Sequence, residues 1–392
     1  MNRWKNMQEA LIASSIKSEK NEISKEKISK GRVQGTLFYK KNFKYKKGIL
    51  LIHGMSGNRL GLSPLAERLA DYGYFCLSLD LPSHFENKND FSMGELCETI
   101  NEGLLFIKNL GIERISLIGH SVGAVGSIFA NMGYNITIEK NIYSNWEKIK
   151  LLLDSLSKKS DYNEFKKILN EVEKSYLEIK QIIFNSLKQK HQQKVDIDCL
   201  ILLAPPINCK SAIPALSLLN KLNHKWIKTI FEKLFHEPAV KQTNKEGNPA
   251  GFTYENKPDT IYWQFFKTKE SKEFLNYFLN MKEPKDFIKL IEDLSKFKHI
   301  ENKINFFEYY QKKYLFAKPK LFIYGKKDLY LKPFLPFARK RLEKFYEGCG
   351  NAEIYYGDFT HIMMNDPNQQ LGILAVNSDK VTEKIMNFLD RH

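Results

Sequence analysis

The sequence predicts an α/β protein: a doubly wound, mostly parallel sheet, with insertions that add helices outside it. Three observations carry that prediction. From residue 48 to residue 134, short apolar runs alternate with amphipathic helical patterns, the arrangement of parallel strands covered by helices. Further apolar runs recur at Cys199–Pro206, Leu321–Tyr324 and Glu353–Tyr356 after intervals of different character. Finally, Ile115–Ala124, ISLIGHSVGA, sets a serine between a strand-like and a helix-like segment.

Taken in order, residues 1–35 read as a polar, basic N-terminal arm, and the sheet core as 36–134, 195–206 and 318–392. VQGTLFYKKNFKYKKGILLIH predicts a hairpin leading into the central strand, with its KKNFKYKK turn exposed. Leu62–Tyr72 has one apolar face and a following Gly73, so it predicts a helix with its stop signal. A strand at Phe75–Leu79, a helix at Met93–Leu110 and a strand at Ile115–Ile118 follow. Residues 135–194 place Ile149, Leu152, Leu153 and Leu156, then Phe165, Ile168, Leu169, Val172, Tyr176 and Ile179, at helical spacing. This predicts an antiparallel helical hairpin turning at Ser160-Asp161.

Gly119-His120-Ser121-Val122-Gly123 is a G-x-S-x-G pentapeptide. Between a strand and a helix, that pattern suits a strained turn that lifts a serine hydroxyl above a sheet. The bland alternative is a serine that caps the helix. A hydroxyl is a poor nucleophile at neutral pH and needs a base titrating near 7, itself oriented by an acid. Downstream, in the order this arrangement requires, lie Asp328 after the strand-Gly325 turn and His361 after the last strand. Asp358 is the rival acid, three residues from His361. His53, His84 and His120 are rival histidines, of which His53 and His120 suit structural roles. Gly48–Gly57, GILLIHGMSG, ends a strand in an H-G-x-x-G turn whose backbone amides can face inward. An oxyanion needs two such donors, and the amides of Met55 and Val122 are the candidates.

With these motifs the chain resembles the α/β-hydrolase superfamily, particularly its lipase, esterase and acyl-hydrolase branches. The resemblance covers Gly48–Met132, Cys199–Pro206 and Lys320–His392. It implies Ser121 as nucleophile, Asp328 as acid, His361 as base and Met55 and Val122 as oxyanion amides. It also implies that 207–317 enters where cap or lid domains enter this fold. Where relatives often carry a glycine-rich turn, this chain has Pro82-Ser83-His84-Phe85. His84 and Phe85 are therefore candidate substrate contacts that bear on substrate shape more than on chemistry.

The expected activity is cleavage of a carboxylic ester or thioester through an acyl-enzyme, with no cofactor. Acyl transfer or peptide cleavage by the same residues, and a non-catalytic ligand-binding scaffold, are the alternatives. In the lid, Leu216, Leu219, Trp226, Ile227, Ile230, Leu234 and Phe235 share a broad face, and aromatic clusters follow near Phe274 and Phe306. The helix face is expected to pack on its own core, with membrane contact or an acyl pocket as alternatives, and the aromatic clusters suit an apolar tunnel or an ordinary core equally.

Composition excludes several classes. With 43% hydrophobic residues the chain is globular rather than disordered. No ~18-residue apolar run suggests a membrane span, and the short run Ala10–Ile16 is a poor signal peptide. Five cysteines without C-x-x-C spacing fit a reducing, cytoplasmic setting. Neither H-E-x-x-H nor a phosphate-binding glycine loop occurs, so no metal is expected.

The net charge is +16, but residues 1–47 carry 13 basic against 4 acidic groups, whereas residues 48–134 carry 5 against 9. The excess therefore lies off the catalytic half. Without a recognised binding motif it gives nucleic acid no support. Compositional drift, and attraction of the arm and lid to an anionic membrane or to an acidic substrate, are the readings left.

Overall fold

The computed structural model describes residues 23–54, 58–156, 162–188, 195–205, 318–326, 350–357 and 379–392. The expected lid at 207–317 and the Ser160-Asp161 turn lie outside them. Eight strands are described: β1 Ile23–Lys30, β2 Val33–Lys40, β3 Lys47–Ile52, β4 Phe75–Leu79, β5 Arg114–His120, β6 Leu200–Leu203, β7 Lys320–Gly325 and β8 Ala352–Gly357. They form one sheet in the order β1-β2-β4-β3-β5-β6-β7-β8. From β4 to β8 every pairing is parallel, and only β1–β2 and β2–β4 are antiparallel.

The central strands explain why the sheet must be covered on both sides. Residues 49–52 of β3 are all fully buried, as a two-sided parallel strand requires. Leu50 and Ile52 pack into one cluster with Leu117 of β5, Leu202 of β6 and Phe322 of β7. Ile49 and Leu51 pack into the other with Ile118, Ile201 and Leu321. This period of two splits the core into two layers.

The second layer is closed by helix α1, Ser63–Asp71, through Leu65, Ala66, Leu69 and Ala70, and by the helix at Asp379–Arg391 through Val381, Ile385, Phe388 and Leu389. The first layer is closed by α2, Met93–Asn109, and α3, Val122–Met132. Ser92 caps α2 by accepting a hydrogen bond from the Glu95 amide at 3.1 Å.

Two sequence expectations need correction. Residues 23–30, read as part of a polar arm, form the edge strand β1 of the sheet. Its charged residues match those of a solvated arm, yet an edge strand tolerates and even favours exposed lysines. Gly31, at φ 56°, permits the two-residue turn into β2, and Arg32 in that turn reaches Glu95 at 2.6 Å and Glu102 at 2.7 Å on α2.

The expected pairing of β2 with β3 is also replaced. β4 lies between them, and the six residues 41–46 cross over it. Two strand spacings are roughly 10 Å, well within the reach of six residues. The buried β3 takes parallel neighbours on both sides and leaves β2 the outer flank of β4.

The insertion at 135–194 forms α4, Ile136–Leu156, and α5, Tyr162–Lys188, which pack on each other. Trp146 meets Tyr176 with ring centroids 6.4 Å apart. Ile138, Ile142, Trp146, Ile149, Val172 and Ile179 join the first core layer, so the pair is built onto the core. Glu139 is buried at its base and accepts a hydrogen bond from the Ser92 hydroxyl, and Gly94 lets the two elements meet. A Cβ there would lie 2.8 Å from the Ile136 Cα.

Candidate active site

At the carboxyl edge of the parallel strands, β5 ends at His120 and α3 begins at Val122, so one residue turns the chain. That residue is Ser121, with φ 51° and ψ −119°. An L-residue adopts this conformation only when its surroundings impose it, at a cost of about 1–3 kcal/mol. The surroundings do so through main-chain bonds. The Ser121 amide donates to the Leu203 carbonyl at 2.8 Å, and its carbonyl accepts from Ala124 and Val125 at 3.0 and 3.2 Å. Its side chain makes no capping hydrogen bond to α3, which removes the bland reading of this serine.

Three glycines let the segments close in. A Cβ on Gly119 would lie 2.6 Å from the Ala124 Cα. On Gly123 it would run into the carbonyls of Ile52 and His53. On Gly54 it would lie 2.8 Å from His120 Nδ1 and 3.0 Å from Ser121 Cβ. The turn after β3 therefore passes directly against the serine, although α1, β4 and α2 separate β3 from β5 in sequence.

His53 braces that turn. Its Nε2 accepts from the Leu81 amide at 3.0 Å, so its proton sits on Nδ1 and donates to the Gly54 carbonyl at 2.6 Å. The ring thus ties the loop after β4 to the loop after β3. His84 is buried beside it, with centroids 5.2 Å apart, and donates from Nδ1 to the Pro82 carbonyl at 2.8 Å. Phe85 lies against the Arg59 guanidinium, 4.6 Å from its Cζ. Both Ser83 and Phe85 have positive φ, 59° and 48°, so the stretch that lacks glycines bends as though it had them.

The loop is anchored from below by Asp80, fully buried at the end of β4. Its carboxylate accepts from the Arg59 amide at 2.8 Å and pairs with the Arg59 guanidinium, which also reaches Glu86 at 2.9 Å. Burial pushes the Asp80 carboxyl up to about 6, against the pull of Arg59. The sequence does not reveal the Arg59–Asp80 pair, because no spacing rule links a residue after β3 to one at the end of β4.

Of the other expected site residues, Val122 opens α3 beside Ser121. Met55, Asp328 and His361 lie outside the described residues. The strands that lead toward the last two, β7 and β8, end in register at Gly325 and Gly357 on the edge that carries Ser121. No cluster of metal-ligating side chains occurs among the described residues.

No family model matches the chain. Among solved structures it is similar to a laboratory-evolved variant of potato epoxide hydrolase, at 11% identity over 95% of this chain and 100% of that one, with a TM-score of 0.52. The chain has the α/β-hydrolase fold. Similarity extends to MenH from S. aureus, at 12% identity, 91% and 97% coverage and a TM-score of 0.48. An esterase from Exiguobacterium antarcticum gives 13%, 91% and 96%, and 0.47.

Within this α/β-hydrolase fold the buried histidines make stability depend on pH. Burial lowers His84 to about 4, and burial with the neighbouring His84 holds His53 well below the ordinary imidazole range. Unfolding frees both to bind protons near pH 6.5, so the unfolded state holds more protons below that value. Stability is then present above about pH 6.5 and lost as pH falls toward 4, by about 3 kcal/mol for His84 alone. Urea titrations at pH 7 and pH 4.5 should show this loss, and His84→Phe should reduce it. Equal losses in the two proteins would refute the assignment.

Proposed function

We propose that the chain is a serine hydrolase that cleaves a carboxylic ester or thioester through an acyl-enzyme. The observation that carries this reading is Ser121, held at φ 51° between β5 and α3 with its hydroxyl unused as a cap. A protein has no structural need to store that strain in a serine. In the proposed cycle His361 takes the hydroxyl proton as Ser121 Oγ attacks the acyl carbon, and Asp328 supports the imidazolium. The Val122 and Met55 amides receive the oxyanion. His361 returns the proton to the leaving alcohol or thiol, then draws one from water for deacylation.

Reach supports the assignment of the partners. β7 lies two strands from β5 and β8 three, roughly 10 and 15 Å at ordinary spacing. Asp328 is three residues past the end of β7 and His361 four past the end of β8. Such segments extend up to ~10 and ~14 Å before their side chains are counted. His84 and Phe85, on the loop after β4, would border the acyl pocket and shape its substrate.

A fluorophosphonate probe tests the reading. We expect stoichiometric labelling of the wild type, mapped to Ser121, and none of Ser121→Ala. An unlabelled wild type that also leaves p-nitrophenyl esters intact would overturn it.

A further inference from the structure

Two turns meet at the amino end of the parallel strands, on the edge opposite Ser121. One is the β2–β3 crossover, residues 41–46, and the other is the α1–β4 turn at Tyr72-Gly73. Phe43 folds over Gly73, where a Cβ would lie 3.1 Å from the Phe43 ring, and meets the Tyr45 ring at a tilt, centroids 4.8 Å apart. The outer surfaces stay bare: Phe43 is 49% exposed and Tyr72 67%. Lys41, Lys44 and Lys46 surround them, all exposed and with no ion pair among the described residues.

The charges facing this patch are unequal. Residues 40–47 and 71–74 hold five lysines against one aspartate, Asp71, which Lys40 already engages at 2.8 Å. Lys47 lies over the Tyr74 ring, 5.9 Å from its centroid. A second acid, Asp390, faces Tyr74 from the helix at Asp379–Arg391, 3.4 Å from its hydroxyl. Among the described residues, three lysines therefore stand without an acidic partner beside the exposed Phe43 and Tyr72.

We propose that this patch docks the protein on an anionic lipid bilayer. The Tyr72 ring, with its one polar tip, settles at headgroup level, Phe43 adds bare apolar area beside it, and lysines on long stems neutralise acidic headgroups around them. The partner is chosen by the combination: charge alone would suit any polyanion, and bare rings alone any apolar surface. β5 carries seven residues from Arg114 to His120, so the patch and Ser121 stand roughly 20 Å apart at opposite ends of the strands. A docked molecule turns the Ser121 edge toward water, where it would meet dissolved substrate.

Cosedimentation with vesicles tests this on the full chain. The wild type should bind phosphatidylcholine vesicles containing 30% phosphatidylserine at ~20 mM salt, release at ~500 mM salt, and ignore pure phosphatidylcholine. Lys41→Glu/Lys44→Glu/Lys46→Glu should weaken binding at least about a hundredfold. Phe43→Ser/Tyr72→Ser should weaken it about tenfold. The lysine variant should keep the thermal midpoint of the wild type, and both variants its probe reactivity, which separates loss of docking from misfolding or loss of the nucleophile. A wild type that ignores acidic vesicles would overturn the proposal. So would binding that both variants retain, or capture by a single-stranded oligonucleotide in preference to vesicles.

Discussion

Ser121→Gly is expected to abolish turnover while making the protein more stable than Ser121→Ala. Loss of the hydroxyl removes the nucleophile, and turnover on an activated ester should fall by roughly four to six orders of magnitude in either variant. Their folding energies should differ. At φ 51° and ψ −119°, alanine keeps the strain of a Cβ-bearing residue, about 1–3 kcal/mol, whereas glycine does not. Glycine's extra unfolded-state entropy returns about 0.5–1 kcal/mol of that gain. A net advantage of about 1 kcal/mol should remain in urea unfolding. A glycine variant no more stable than the alanine variant would show that the turn carries no strain worth relieving, and would weaken the case that function maintains it.

Arg59→Leu should cost about 3–5 kcal/mol, the largest loss expected from any single polar replacement in this region. It strands the Asp80 carboxylate, which is fully buried and otherwise held by the Arg59 guanidinium and amide. The pH dependence identifies the cause. Burial already places Asp80 at about 6, and without the cation only the residue-59 amide opposes it, so the group moves higher still. Its folded state then holds a proton that the unfolded state releases above pH 4, and each rise in pH through that window disfavours folding. The deficit relative to the wild type should be greatest near pH 8 and shrink toward pH 5.5. Losses from the buried histidines occur in both proteins and cancel in the difference. Arg59→Leu/Asp80→Asn should recover much of the stability. A deficit that grows on acidification would contradict the argument.

The parts of the fold that were legible in the sequence share one property: their local pattern and their tertiary setting demand the same thing. Phe75–Leu79 and Met93–Asn109 are apolar at the period their burial uses, so the reading found them within a residue. The same holds for the serine turn, whose strand, glycines and helix are contiguous. β1 was illegible because an exposed edge asks little of its side chains, and Lys25 and Lys27 look the same in an arm as on an edge. The β2–β3 crossover was illegible because strand order is settled by which strands need two neighbours, a property of the whole sheet. Arg59 with Asp80, and His53 with Leu81, join residues 21 and 28 positions apart through geometry that leaves no periodic trace.

The serine is located chiefly by main-chain atoms: a carbonyl from β6 takes its amide, and bare backbone from the turn after β3 lies against it. Scaffolding of this kind places few demands on the identity of neighbouring side chains. Apolar residues around the turn could be exchanged in combination, in a randomised library, with the reactive geometry kept, provided volume and the three glycines survive. Recognition of such a centre from sequence would then rest on a handful of small residues, the rest of the chain being free to drift.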